Sequence, residues 1–354
     1  MTDLLARTAE LVAIASPSHE ESALADHVEA RLRALGHLAV DRLGDNVVAR
    51  TELGRPVRLV VAGHLDTVPA DGNATPRVDG DVLWGLGAAD MKGGLAVMLE
   101  LAAAVPEPAV DVTWVFYAGE EVAAVHNGLR RLLDERPDLV AGDAALLGEP
   151  TAAALEVGCQ GTLRLRVTLA GRRAHTARAW MGRNAIHRAG RLLAALDAYE
   201  PRRPVLDGCR FHEGLQAVAV EGGVAGNVVP DRAVVTINHR FAPDRTEERA
   251  RAHVEEVLAP YLEDGDEVAL VDVAGAAPPA LAHPLLAALR GRNDLVVRAK
   301  LGWTDVSRFA AAGIPAANFG PGDPTLAHTR DEHVDRASLD ATHAALGDLL
   351  RRGV

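Results

Sequence analysis

The chain has 354 residues, 24% of them charged, and a formal net charge of -12 at pH 7. That acidity, with only 3% aromatic residues, excludes a nucleic-acid partner held by phosphate contacts or base stacking. Two cysteines, Cys159 and Cys209, are too few for a disulfide framework, and no signal-peptide pattern or apolar run of about 18 residues is present, so a cytoplasmic protein without membrane contact is expected.

The length favours two domains, or one domain carrying an insertion. Leu4–Ile14 and Glu20–Leu35 read as amphipathic helices, separated by Ser16-Pro17-Ser18. Arg58–Ala62 is a short apolar strand that ends at Gly63-His64, and Met91–Val105 is an apolar helix. Val112–Ala118 and Ala144–Leu147 follow as buried strands. This alternation predicts an α/β fold with a mostly parallel sheet flanked by helices.

The pattern changes near Val157. In Thr162–Ala170 the apolar residues Leu163, Leu165, Val167 and Leu169 alternate with Arg164, Arg166 and Thr168, as in a half-solvated strand. A helix over Asn184–Ala198, strands over Leu215–Val220 and Ala233–Phe241, a helix over Thr246–Tyr261 and a strand over Glu267–Val273 complete a β-α-β-β-α-β order. That order is ferredoxin-like. The expected organisation is a catalytic domain in two segments, 1–156 and 276–354, interrupted by an α+β lid over 157–275.

Several acids and imidazoles end apolar runs and open turns: His64 and Asp66, Asp90, Glu120 and Glu121, Glu149, and His328 near the C-terminus. Parallel sheets present active sites at such strand ends. Oxygen and imidazole donors without cysteine suit a divalent metal used in hydrolysis, and an aspartate can bridge two ions. Asp66, two residues after His64, can orient the imidazole. Of the adjacent Glu120 and Glu121, one can ligate while the other serves as general base. Any one of these acids alone reads best as a helix cap or turn residue. Gly85-Leu86-Gly87 begins like a dinucleotide fingerprint but carries Asp90 at the third glycine position.

The ordered segments Gly63-His64-Leu65-Asp66-Thr67, Gly87-Ala88-Ala89-Asp90-Met91-Lys92-Gly93, Gly119-Glu120-Glu121, Gly148-Glu149-Pro150 and Ala327-His328 resemble the M20 family of co-catalytic zinc amidohydrolases. Gly302-Trp303-Thr304-Asp305 and the tail as far as Glu332 make the chain most similar to the actinobacterial succinyl-diaminopimelate desuccinylases. The resemblance implies two Zn2+ ions per subunit, with Co2+ as a substitute. It places His64, Asp90 and Glu149 on one ion and Asp90, Glu121 and His328 on the other. It makes Glu120 the base and Asp66 the orienter, sends His175 to a partner subunit's site, and gives Arg178, Asn227, Arg240 and Thr304 to the substrate. A homodimer through the lid and a small N-acyl amino acid substrate are implied. The departures are Leu86, Val122 and Arg178, none of them a ligand. Other readings are acetylornithine-type deacylation, release of glutamate as a carboxypeptidase, or a silent metal-binding protein.

Overall fold

Near-continuous runs of Val, Leu and Ala form strands buried on both faces, which is how a parallel sheet hides between helices. In the computed structural model, which describes residues 3–354, Asp111–Tyr117 is buried along its whole length and Arg58–His64 at all but its first residue. The contacts divide the chain into two units: Met1–Val157 with Pro279–Arg298 and Arg308–Val354, and Gly158–Pro278 with Ala299–Ser307.

The first unit holds an eight-stranded sheet in the order Ala39–Leu43, Asn46–Arg50, Asp111–Tyr117, Arg58–His64, Ala144–Leu147, Ala316–Asn318, Leu155–Val157 and Val297–Ala299. Its centre, from Asp111–Tyr117 to Ala316–Asn318, is parallel, as the strand–helix alternation predicts. Antiparallel strands extend it on either side: Asn46–Arg50 pairs with Asp111–Tyr117 and with Ala39–Leu43, and Leu155–Val157 pairs with Ala316–Asn318. The helix Gly93–Ala104 lacks a polar face, and ten of its twelve residues are buried. Gly94 makes this possible, since a Cβ there would lie 2.2 Å from the Gly148 carbonyl oxygen. The helix start is thereby pressed against the strand end that leads to Glu149.

The second unit is the ferredoxin-like arrangement. Its four strands lie in the order Gly214–Gly222, Arg232–Phe241, Gly161–Ala170 and Glu267–Ala274, and all pairings are antiparallel. Ala185–Asp197 and Glu247–Leu258 cover one face, burying Leu163, Leu165, Val167, Leu192 and Val254. Gly161–Ala170, whose alternating pattern marks one solvated face, has neighbours on both sides. The edges are Gly214–Gly222 and Glu267–Ala274. Ala299–Ser307, read from the sequence as catalytic-domain chain, groups with this unit because Trp303 and Ser307 donate to the Gly275 carbonyl. Among the described residues no helix is long and apolar enough to cross a membrane.

One buried ion pair pins the Ala185–Asp197 helix to the turn before Glu267. Arg188 and Asp266, with side chains 3% and 1% exposed, meet through two hydrogen bonds, and Asp266 also accepts the Ala170 amide. Asp266→Ala leaves the buried guanidinium with the Ala170 and Tyr261 carbonyls and with Glu263 at 3.7 Å but without its close carboxylate, so thermal or denaturant unfolding of the variant is expected to show a loss of about 3 kcal/mol.

Candidate metal centre

Parallel strands bring their carboxyl ends to one rim of the first unit's sheet. His64 closes Arg58–His64, the Glu120–Glu121 turn follows Asp111–Tyr117, and Glu149 follows Ala144–Leu147. Asp90 comes from an irregular turn, 88–92, before the Gly93–Ala104 helix, and its peptide bond to Met91 is cis. His328 reaches the same place from the C-terminal segment.

Asp90 occupies the middle. Its Oδ1 is 3.1 Å from His64 Nε2, and its Oδ2 is 3.6 Å from His328 Nε2. His328 Nε2 lies 2.7 Å from Glu121 Oε1. One donor atom each from His64, Asp90 and Glu121 falls within a 4.8 Å cluster. Glu149 is buried and near enough to favour a charged His64. Glu120, half-buried, stands next to Glu121.

Two carboxylates hold this geometry from behind. Asp66 accepts the Glu120 amide on Oδ1 and the Glu121 amide on Oδ2, each at 3.0 Å, and the Ser18 hydroxyl at 2.8 Å. His64 Nδ1 donates to the Asp66 carbonyl oxygen at 2.9 Å, while the Asp66 carboxylate stands 3.5 Å off. That contact fixes the tautomer and leaves Nε2 for a ligand. Asp66 therefore orients His64 chiefly through its backbone, and its carboxylate sets the glutamate turn. Glu332, 1% exposed, accepts the amides of Gly87, Ala89 and Asp90 at 3.0, 3.0 and 2.9 Å. Sequence reasoning missed this role. The only signal was an acid four residues beyond His328.

The electrostatics follow from the crowding. Burial would depress His64, but Asp66 and Asp90 outweigh it and raise the imidazole well above its ordinary range. Asp90 and Glu121 lift His328 to about 10. Burial pushes Asp90 up, yet His328 and His64 hold it far below the usual carboxylate range. In this state protons on imidazoles bind the carboxylates together. A divalent cation can take over that work, and two imidazoles with three carboxylates are a donor set that fits one.

The remaining predicted residues lie in the second unit. His175 is exposed and caps the short turn Thr176–Met181 by accepting the Ala177 amide on Nδ1. Asn227 accepts the Thr176 amide, and Arg178 is exposed on the same turn, so these three are brought together. Arg240 is half-buried on the sheet, and Thr304 is buried, its hydroxyl without a hydrogen-bond partner.

Against known proteins, the model of peptidase family M20/M25/M40 matches residues 60–352. The chain belongs to that family. A Mycobacterium tuberculosis relative carrying a provisional succinyl-diaminopimelate desuccinylase (DapE) name is 52% identical over 99% of this chain and 97% of its own. The succinyl-diaminopimelate desuccinylase of Corynebacterium glutamicum is 46% identical over 93% and 91%. Among solved structures, a Staphylococcus aureus tripeptidase superposes with a TM-score of 0.82 at 22% identity, covering 99% of this chain and 97% of its own. It shares the fold.

Ligation needs neutral imidazoles, so a cation held by His64 and His328 would expel the protons that Asp90 and Glu121 keep on them. Titration calorimetry near pH 7 in two buffers of different ionisation enthalpy should show proton release on binding. In the metal-free protein the His328 pairing, raised in the folded state, stabilises fully below about pH 6.5. That contribution is lost as pH rises through about 10, and thermal melts over this window should record the decline.

Proposed function

We propose that the protein is a metal-dependent hydrolase converting N-succinyl-LL-2,6-diaminopimelate to succinate and LL-2,6-diaminopimelate in the cytoplasm, with two zinc ions per subunit and cobalt as a substitute. The observation that carries the substrate is the near full-length similarity to the Mycobacterium and Corynebacterium proteins. Asp90, with its two oxygens toward two different imidazoles, supports a bridging ligand. His64 and Glu149 would complete one site, Glu121 and His328 the other.

When bound, the metal pair supplies Lewis acidity at the scissile carbonyl and lowers the pKa of water. Glu120 takes the proton of the attacking water and returns it to the departing amine. Its amide and that of Glu121 are both anchored on Asp66, which holds the two glutamates side by side. Arg178, Asn227, Arg240 and Thr304 bind the substrate's carboxylate-bearing ends, and arginine suits this because its fork can meet a carboxylate through two hydrogen bonds.

The second unit acts as lid and dimerisation element. Its edge strand Gly214–Gly222 exposes Val218 and Val220, at 56% and 51%, and Ile186 on the adjoining helix is 40% exposed. An unpaired apolar edge of this kind favours self-association. His175 then donates to the oxyanion in the partner subunit's site.

With the zinc-loaded enzyme, turnover of succinyl-diaminopimelate should exceed that of acetylornithine; the reverse order overturns the substrate. Glu120→Gln should lower kcat by about two to four orders of magnitude while metal content stays at the wild-type level. Loss of metal in that variant instead makes Glu120 a ligand. Co-expressed Glu120→Gln and His175→Ala chains should form hybrids that regain part of the activity, because one site in each hybrid keeps both groups. Verified heterodimers without activity exclude action in trans.

A further inference from the structure

Helices cover only one face of the second unit's sheet. Leu163, Leu165, Val167 and Leu169 point into that core, so Thr162, Arg164, Arg166 and Thr168 lie on the uncovered face. Asn238 and Arg240 of the next strand share it. Thr162 is opposite Arg240 and Arg164 opposite Asn238, and Asn238 Nδ2 donates to Thr162 Oγ1 at 3.0 Å. Arg164 and Arg240 are therefore diagonal neighbours, within reach of one another for long side chains.

Their partners differ. Arg164 Nη1 lies 3.2 Å from Oδ2 of Asp272, its register partner on Glu267–Ala274, and both side chains are about half exposed. Arg240 is half-buried, and no carboxylate or carbonyl hydrogen-bonds to its guanidinium among the described residues. Burial and the neighbouring Arg164 both weigh against its charge, with Asp272 the opposing influence. Two guanidinium groups thus share one carboxylate, while Arg166, further along the same face, has its own partner in Glu221 at 3.6 Å. A second carboxylate from outside would relieve the imbalance.

The geometry points to a two-arginine carboxylate subsite in which Arg240 makes the primary contact and Arg164 is a second arm whose availability is set by Asp272. This rests on the proposed function, which brings a substrate carboxylate to Arg240. Asp272 and the substrate carboxylate compete for Arg164. Specificity is then graded: a ligand carboxylate must outbid an internal one, so weakly charged acyl amino acids gain nothing from the second arm. In a merely structural cross-strand pair, removal of either partner would have the same small effect.

The two readings differ in sign. Steady-state kinetics of wild type, Arg164→Ala, Arg164→Lys and Asp272→Asn are compared on three substrates: succinyl-diaminopimelate, Nα-succinyl-lysine, which lacks the distal carboxylate, and acetyl-diaminopimelate, which lacks the succinyl one. On succinyl-diaminopimelate, Arg164→Ala should raise KM about tenfold and Asp272→Asn should lower it about threefold, with Arg164→Lys between wild type and Ala. One of the two shortened substrates should lose both effects, which names the carboxylate concerned. Changes of the same sign in Arg164→Ala and Asp272→Asn, or equal changes on all three substrates, overturn the subsite. If the wild type does not turn over succinyl-diaminopimelate, the substrate reading fails separately. Calorimetric titration of succinate and of diaminopimelate into the zinc-loaded proteins then decides the subsite. Tighter binding of either by Asp272→Asn and weaker binding by Arg164→Ala sustains it, and parallel or absent shifts end it.

Discussion

Two buried acids accepting backbone amides are the constraint on which the site depends. Asp66 takes the amides of Glu120 and Glu121, and Glu332 takes those of Gly87, Ala89 and Asp90. Each is a charge-assisted bond inside the protein, with a typical net worth of about 1.5–3 kcal/mol. Apart from the Ser18 hydroxyl on Asp66, what both acids hold is turns. The turns in turn present Glu121 and Asp90 toward His64 and His328. The geometry of the candidate centre is thus set by peptide groups that cannot rotate away, and a cation entering it would cost the central carboxylates little freedom.

How much of this was legible follows from what leaves a pattern in a sequence. Residues that end apolar runs do, and His64, Asp90, Glu121, Glu149 and His328 stood out for that reason. The parallel centre of the first sheet was legible because burial on both faces writes continuous apolar runs. Glu332 was not, since an acid that accepts amides from a distant turn has no local signature. The antiparallel hairpin Ala39–Arg50 escaped notice because Asp41 and Arg42 interrupt its first strand, which is only partly buried along its length. In Gly161–Ala170 the alternation of residues reports which face is covered and is silent on who lies beside it, so its inner place in the sheet left no signal. Thr304 fell on the unexpected side of the division because its segment is tied to Gly275 by long-range hydrogen bonds.

A net charge of -12 and an arginine-bearing sheet face coexist without contradiction. Exposed charges more than about 8–10 Å apart are largely screened at physiological ionic strength, whereas Arg164, Arg240 and Asp272 interact within one layer of side chains. Overall acidity then governs solubility and long-range encounter, and neighbouring pairs act only on what lies within a few ångströms of them.

The strand order carries a consequence for biosynthesis. Ala316–Asn318 is inserted between Ala144–Leu147 and Leu155–Val157, in the interior of the sheet. A ribosome delivers both neighbours long before it delivers the strand that joins them. All four strands and both covering helices of the second sheet emerge in that interval, so the insert can fold while its host is still incomplete. At roughly 5–20 residues per second the host's two open strand edges wait on the order of ten seconds or more. The nascent chain is thus most exposed to mispairing partway through synthesis, and the step that closes its sheet also delivers the segment bearing His328 and Glu332.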